Sequence, residues 1–193
     1  MRNCTFFIFT MFLVGCSYKG YWGPVLEVSP PDCVMGRFDV TVSSGRVLDD
    51  PSMAGTEIEI DVIALTNEEY CEQGWFKRNL LTYFNPEGDD LRDNAPVWKA
   101  KFQTGDGPKT LSANDPLWAL WEAENATHLV IIAQRVDGNE TDNDDARRIV
   151  LPLDRSRWLD DSIELRLMSS GLVLRTNRLP PWPGQPKEKL RHY

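Results

Sequence analysis

The sequence shows no constellation of residues typical of a catalytic site. It contains two histidines, and no second histidine lies near enough to either His128 or His192 to suggest a zinc pair. The sequence has neither a Gly-x-Ser-x-Gly motif nor a Gly-x-x-x-x-Gly-Lys phosphate loop. A nucleophile pair formed by Cys71 and a histidine is the alternative. The sequence therefore predicts a protein that is not an enzyme and that needs no cofactor.

One acidic segment, residues 137–145, has the oxygen-rich composition of a calcium loop. An EF-hand loop needs glycine at its sixth position and glutamate at its twelfth. Counted from Asp137, those positions hold Asp142 and Arg148. We therefore predict a solvated connection between two strands and no metal site.

The thiol with a clear sequence context belongs to Cys16. A positively charged start is followed by an almost entirely apolar stretch over residues 6–14, and Leu-Val-Gly-Cys ends at Cys16. The apolar stretch is shorter than the roughly 20 residues that span a bilayer, but it fits the core of a secretory signal. Leu-Val-Gly-Cys matches the bacterial lipobox, in which the cysteine thiol receives a diacylglycerol. An ordinary signal peptide with an incidental cysteine is the alternative. The pattern predicts a signal peptide over residues 1–15 and lipid attachment at Cys16.

The residue after Cys16 indicates which membrane receives the lipid. In enteric bacteria, aspartate at this position favours retention in the inner membrane, whereas this chain has Ser17. Because each buried acyl methylene contributes about 0.8 kcal/mol, the three chains of a mature lipoprotein give stable attachment. We therefore expect attachment to the outer membrane, on its periplasmic face.

The remaining composition narrows the range of partners. The formal net charge is −8 and the pI is about 4.8, which argues against nucleic acid, since phosphate requires neutralisation by Lys and Arg. Once Cys16 carries lipid, Cys33 and Cys71 remain as an even pair. In an oxidising periplasm they can form a disulfide, or they are two separate buried thiols.

The chain divides into a tether, one domain and a tail. Residues 16–36 contain glycine and proline without helical periodicity, and residues 179–193 are Pro-rich and end in a basic segment. Between them, residues 37–178 form the predicted domain. Residues 56–65 alternate Glu, Ile, Glu, Ile, Asp, Val, which predicts a strand with Ile58, Ile60 and Val62 inward and a wet face opposite.

Further elements follow the same reasoning. Strands are predicted at residues 37–43, 97–102, 110–111, 127–136, 146–153, 162–168 and 172–176. Capping signals predict short helices at residues 67–77 and from Asp115 to about Glu124. The predicted fold is mainly β, an antiparallel β-sandwich with one or two short helical insertions.

Seven tryptophans suggest an alternative function. Exposed tryptophans would make a sugar-binding platform or an interface, so a lipid-anchored glycan- or ligand-binding module without catalysis is the second hypothesis. Trp118 and Trp121 have helical spacing and are expected to pack on the sheet. Trp22 and Trp182 lie in the tether and the tail, where exposure is expected.

The order of these elements resembles the TssJ family, the outer-membrane lipoproteins of type VI secretion, which have a transthyretin-like fold. The resemblance spans the region from Arg37 to Leu174, and its matching stretches are residues 57–65, 75–84, 129–137, 149–153, 163–167 and 172–174. The chain departs from the family pattern in its cysteine pair, its longer insert over residues 75–92 and its basic tail.

The resemblance implies a scaffold role. A member of that family lies on the periplasmic face of the outer membrane and binds an inner-membrane subunit of the envelope-spanning secretion complex. In that family the loop after the first strand contributes to partner contact, and the corresponding segment here is residues 45–55. The resemblance assigns no individual contact residues.

Overall fold

The computed structural model describes residues 34–44, 56–66, 68–69, 80–84, 90–134, 146–168 and 171–179. These residues form two four-stranded sheets that pack face to face. The strands in chain order are β1 Asp39–Ser43, β2 Ile58–Leu65, β3 Val97–Phe102, β4 Lys109–Leu111, β5 His128–Ala133, β6 Arg148–Pro152, β7 Ser162–Met168 and β8 Gly171–Leu174. The predicted mainly β sandwich is confirmed.

The first sheet has the strand order β4-β1-β7-β8 and the second has β3-β2-β5-β6. Every pair is antiparallel except β1 and β7, which run parallel with Val40 opposite Ile163. The most apolar strand, β5, lies inside its sheet between β2 and β6, as predicted. The parallel pair was not predicted, because its partners are far apart in the sequence.

The core lies between the two sheets. Alternate residues of each strand point into it, so Val40, Ile60 and Leu165 are fully or almost fully buried. Phe38 is buried against the rings of Trp118 and Trp158, with centroid distances of 6.2 and 5.8 Å. Edge-to-face contacts of this kind add to the stabilisation from buried apolar area.

The outer face of β2 is not the wet face that its alternation predicted. Asp61, Ile63 and Leu65 all lie on that face and all are buried. A second apolar cluster covers it, formed by Ile63, Leu65, Leu80, Tyr83, Val130 and Ile132. The covering segments contain two short helices, α1 Leu80–Tyr83 and α2 Asp90–Asn94. Neither helix was predicted.

The helix predicted after Asp115 is α3, Leu117–Ala123. The Asp115 carboxylate accepts a hydrogen bond from the Leu117 N–H at 2.9 Å, which satisfies one donor of the first turn. Trp118 and Trp121 are fully buried, and their indole N–H groups donate to the backbone carbonyls of Ser112 and Pro96. The helix thereby closes the side of the sandwich between β3 and β4.

The predicted capping box is present at Thr66 and Glu69. The Thr66 N–H donates to the Glu69 carboxylate at 2.8 Å, and the Glu69 N–H donates to the Thr66 hydroxyl oxygen at 3.2 Å. Residues 68–69 are helical, and the rest of the helix predicted over residues 67–77 lies outside the described residues. In the part of the chain that the structure describes, no helix is both long and apolar enough to cross a membrane.

Candidate functional site

The residues predicted to carry chemistry lie outside the described residues. These are the lipid-attachment residue Cys16 and the cysteine pair Cys33 and Cys71. Lipid attachment and the disulfide therefore stay predictions. The acidic segment 137–145 and the proposed partner segment 45–55 also lie outside, but the residues that flank segment 45–55 are described.

A cluster of charged residues lies on the outer face of β2. Alternation along the strand directs Glu57, Glu59 and Asp61 to the same side. The register with β3 sets Asp61 opposite Lys99 and Glu59 opposite Lys101. Oppositely charged residues that face each other across a strand pair are mutually stabilising.

Asp61 forms the buried part of this cluster. Its side chain has no exposed surface, and its Oδ2 atom accepts hydrogen bonds from the Tyr83 hydroxyl at 3.0 Å and the Arg92 Nε at 2.7 Å. The Arg92 guanidinium also lies over the Phe84 ring, 4.8 Å from its centroid. A buried carboxylate is strongly unfavourable unless it is paired and hydrogen-bonded. Arg92 provides the opposite charge, and Arg92 and Tyr83 both donate hydrogen bonds.

Glu59 connects the buried part of the cluster to an exposed part. It pairs with Arg92 and also with Lys101, whose Nζ lies 2.8 Å from Glu59 Oε1 and 2.6 Å from Glu57 Oε1. The hydrogen bond from Lys101 holds the pKa of Glu59 below its ordinary value; burial opposes this effect, and the hydrogen bond from Arg92 reinforces it. The same lysine lowers the pKa of Glu57.

The pKa values of the two basic partners, Lys101 and Arg92, are raised. Hydrogen bonds to Glu57 and Glu59 raise the pKa of Lys101. Burial lowers the pKa of Arg92, but its hydrogen bonds to Asp61 and Glu59 outweigh burial and raise the pKa above its ordinary value. Each of these groups is therefore held in its charged form at neutral pH.

The ion pairs of Arg92 with Asp61 and Glu59, called here the clamp, suit a structural role better than acid–base catalysis. A general acid or base works best with a pKa near the working pH, whereas Glu57 and Glu59 are shifted away from neutrality. Within the described ranges, no group of three or more His, Cys, Asp and Glu residues is arranged to hold a metal ion. The clamp fixes α2 and the segment 80–84 to the second sheet.

The two ends of the sandwich differ in which segments of the chain reach them. At the first, called here the tether end, residues 34–38 approach β1, and the Gly36 N–H donates to the Leu153 carbonyl at 2.7 Å. β7 begins and β6 ends there as well. At the opposite end, called here the far end, β1 ends at Ser43 and β2 begins at Ile58.

The 3-10 turn Arg155–Arg157 organises the tether end. The Asp154 carboxylate caps it by accepting from the Ser156 N–H at 2.9 Å. The Arg155 N–H donates to the Val34 carbonyl at 3.2 Å. Arg157 is buried, and its Nη2 donates to the Leu179 carbonyl at 2.9 Å. The first and the last described residues of the domain are therefore held at one turn.

The described tryptophans do not form a sugar-binding platform. Trp118, Trp121 and Trp158 are buried, and Trp98 is half-buried against the main core. The predicted packing of Trp118 and Trp121 is confirmed. Trp22, Trp75 and Trp182 lie outside the described residues.

Sequence reasoning missed the pairing of Asp61 with Arg92 and the role of Arg157. The alternation of β2 made Asp61 look solvated, since nothing nearby in the sequence identifies its cover. The one available signal was the aromatic pair Tyr83-Phe84 a few residues before Arg92, because arginine commonly stacks on aromatic rings. Arg157 gave no signal of its own.

No protein-family model matches the chain, and no curated protein matches it. Among solved structures it is similar to Lip of Serratia marcescens, a membrane-bound component of the Type VI Secretion System, with 19% identity over 75% of this chain and 99% of Lip and a TM-score of 0.49. It is similar to the lipoprotein TssJ1 of Pseudomonas aeruginosa, with 12% identity over 76% of this chain and 100% of TssJ1 and a TM-score of 0.45.

A chain of a type VI membrane complex is also similar, with 12% identity over 71% of this chain and 95% of that chain and a TM-score of 0.48. All three TM-scores lie below 0.5, and nothing about what this chain binds follows from these similarities.

Proposed function

We propose that this chain is a scaffold lipoprotein, anchored by lipid on Cys16 to the periplasmic face of the outer membrane. Its partner is the periplasmic part of an inner-membrane subunit of an envelope-spanning secretion complex of the type VI kind. Support comes from the lipobox that ends at Cys16 and from the family resemblance of the predicted strands. A protein of this kind acts by binding and needs no catalytic group.

The observation that carries the proposal is that the tether and segment 45–55 join the sandwich at opposite ends. The chain enters the domain at the tether end, through residues 34–38. Ser44 and Thr56, which flank segment 45–55, adjoin β1 and β2 at the far end. The eight-residue strand β2 separates the two ends by about 23 Å, at about 3.3 Å per residue.

The placement of these two segments at opposite ends suits a protein that bridges two membranes. A lipid on Cys16 would hold the tether end towards the outer membrane, and the far end would then face the periplasm. An inner-membrane partner reaches the domain from that side. The far end also carries the exposed turn around Gly105 and Gly107, next to the start of β4.

The clamp around Asp61 supports the same role. A scaffold domain that transmits force or holds a partner needs a rigid body, and hydrogen-bonded buried charge favours a single arrangement of the segments that it joins. Arg92 joins β2 to α2 through Asp61 and Glu59, so α2 cannot move from the sheet without breaking these bonds.

The anchor is tested with the Cys16→Ser variant of the full chain. Wild type should incorporate a labelled fatty acid and fractionate with the outer membrane. The variant should incorporate none and be recovered in the soluble periplasm. Equal fractionation of both proteins would contradict the anchor.

The partner is tested by cross-linking the tagged protein in cells and identifying captured proteins by mass spectrometry. In the test variant, Val47, Leu48, Asp49 and Asp50 are replaced by glycine and serine. The matched control changes exposed acidic residues at the tether end, Asp160→Asn with Asp161→Asn. We expect wild type and control to capture an inner-membrane secretion subunit and the test variant to lose it. Capture of glycan or peptidoglycan alone would favour the binding-module hypothesis instead.

A further inference from the structure

The outer faces of the two sheets differ in whether the chain covers them. The outer face of the second sheet is buried under the segments around α1 and α2. On the first sheet, the residues that alternate with the core positions are instead in contact with solvent, among them Thr110 of β4, Glu164 of β7 and Val173 of β8. This side of the first sheet is called here the open face.

Two arginines of the open face lack a carboxylate partner. Several described basic side chains pair with carboxylates, as Arg37 does with Glu122. Arg166 of β7 is half-buried, and Arg175, the residue after β8, is exposed. In the part of the chain that the structure describes, neither guanidinium makes an ion pair or a hydrogen bond. Because arginine stays charged, both groups keep their full capacity to bind an anion.

The acidic side chains of the open face do not neutralise these arginines. Asp39 lies at the tether end of β1, where its carboxylate accepts from the Ala113 N–H at 2.7 Å. Glu164 is opposite Arg175 across the ladder of β7 and β8, yet no ion pair joins the two side chains. The described side chains of the far half of this face therefore carry an excess of positive charge, although the whole chain has a formal net charge of −8.

The spacing of the two arginines indicates what they can bind. The register sets Arg166 opposite Val173, so Arg175 is its diagonal neighbour on the same face. Diagonal neighbours lie roughly 7–8 Å apart, and alternate residues of an extended chain are about 6.6 Å apart. Two carboxylates at positions i and i+2 of an extended segment therefore match the two guanidinium groups, each of which can bind a carboxylate through two hydrogen bonds.

Apolar surface lies beside the arginines. Val173 and Met168 are 38% and 39% exposed and lie diagonally across the ladder of β7 and β8. On the other side of Arg166, Ser43 of β1 has a short side chain whose hydroxyl donates to the Leu165 carbonyl at 3.3 Å. Exposed apolar residues alone are ordinary on soluble proteins. Here they adjoin unpaired arginine, and arginine and methionine are both enriched in protein interfaces.

We infer that the open face binds an extended acidic segment of the inner-membrane partner. Two carboxylates of that segment, two positions apart, pair with Arg166 and Arg175, and apolar residues beside them pack on the exposed valine and methionine. The inference rests on the proposed function and adds a second contact to segment 45–55. The two surfaces adjoin, because Ser43, opposite Arg166, ends β1 two positions before that segment. A partner that reaches the far end therefore also reaches the open face.

The test places a photoreactive benzophenone amino acid at position 173 of the full chain in living cells. A second protein carries it at position 107, in the exposed turn of the far end, and reports on the proposed partner without involving the open face. The control position is 120, because Leu120 of α3 is an exposed apolar residue outside the open face, 52% exposed. The captured protein is identified by mass spectrometry, and the cross-linked peptide is sequenced.

We expect positions 173 and 107 to capture the same inner-membrane subunit and position 120 not to capture it. The peptide linked to position 173 should contain two Asp or Glu residues separated by one residue. Arg166→Gln with Arg175→Gln should lower capture from position 173 at least about fivefold. Arg166→Lys with Arg175→Lys should lower it less, because lysine keeps the charge but not the two-bond geometry.

The matched control is Arg37→Gln with Lys99→Gln, which removes the same charge from exposed residues outside the open face. It should leave capture from position 173 unchanged. Arg166→Gln with Arg175→Gln should unfold at the same urea concentration as wild type, because neither guanidinium has a described partner to lose. A lower yield in that variant then reports binding and not folding.

Capture from position 107 without capture from position 173 would overturn the inference and leave the proposed function standing. An unchanged yield from position 173 in Arg166→Gln with Arg175→Gln would also overturn it, as would an equal loss in the matched control or a linked peptide without an acidic pair. Capture from neither position would contradict the proposed function, and the inference with it.

Discussion

Replacing Arg92 by methionine should destabilise the domain far more than its partly exposed position suggests. The Arg92 side chain is 17% exposed, but Asp61, which it pairs with, is completely buried. In Arg92→Met the carboxylate keeps the hydrogen bond from the Tyr83 hydroxyl and loses its counter-ion. Removing one member of a buried ion pair costs about 3–5 kcal/mol. Because Arg92 reaches some solvent, we expect a value of about 3 kcal/mol.

The assay is urea unfolding followed by tryptophan fluorescence, since Trp118, Trp121 and Trp158 are buried in the fold. A loss of this size should also lower Tm by roughly 6–12 °C. Lys101→Met is the matched control, because Lys101 pairs with Glu57 and Glu59 on the surface and is 58% exposed. Its effect should be several-fold smaller.

A double variant separates the cost of an unpaired buried carboxylate from the cost of lost side-chain packing. Arg92→Met combined with Asp61→Leu removes both members of the pair, so no uncompensated carboxylate stays buried. The double variant should be more stable than Arg92→Met alone. Unfolding of Arg92→Met like that of Lys101→Met, or a further loss of stability on adding Asp61→Leu, would contradict this role of Arg92.

Three other predictions follow from the same structure. Gly171→Ala should cost about 1–3 kcal/mol in urea unfolding, because Gly171 has φ +123° and a Cβ would lie 2.3 Å from the Ala146 carbonyl oxygen; unchanged stability would contradict this. Hydrogen bonding lowers the pKa of Glu59 below the ordinary 4.5, so its stabilising effect is complete above that pH and is lost as the pH falls through the lowered pKa. Glu59→Gln should therefore weaken the fall in stability below pH 4.5, and acid-unfolding curves parallel to wild type would contradict the assignment. Phe38→Ala should cost about 3–5 kcal/mol because the ring is fully buried; a loss below about 1 kcal/mol would show that the core repacks.

The strands were predictable because their patterns are local. Alternation in β2 and the apolar run of β5 correctly located both strands, and the Asp-Pro signal located the start of α3. Each of these signals depends on residues within one turn or a few strand positions of each other. Thr66 and Glu69 likewise meet in the capping box, since three positions separate them.

The errors arose where distant segments decide burial. Asp61 looked exposed because it shares a strand face with Glu57 and Glu59, yet Tyr83 and Arg92 reach it from later in the chain. The parallel pairing of β1 with β7 depends on contacts across the whole domain. The tether end was equally unpredictable, because it is assembled around Arg157, which is buried and donates to the carbonyl of Leu179, 22 positions later in the chain.

In the proposed arrangement the far end meets an inner-membrane partner while the tether end faces the outer membrane. The most direct measurement is photocross-linking in living cells from one exposed position at each end. Position 107 suits the far end, because a side chain at Gly107 would meet nothing within 4 Å, and the exposed Asp160 supplies the tether-end position. We predict that position 107 captures an inner-membrane secretion subunit and that position 160 does not. Capture of that subunit from position 160 alone, or from neither position, would contradict the proposed arrangement.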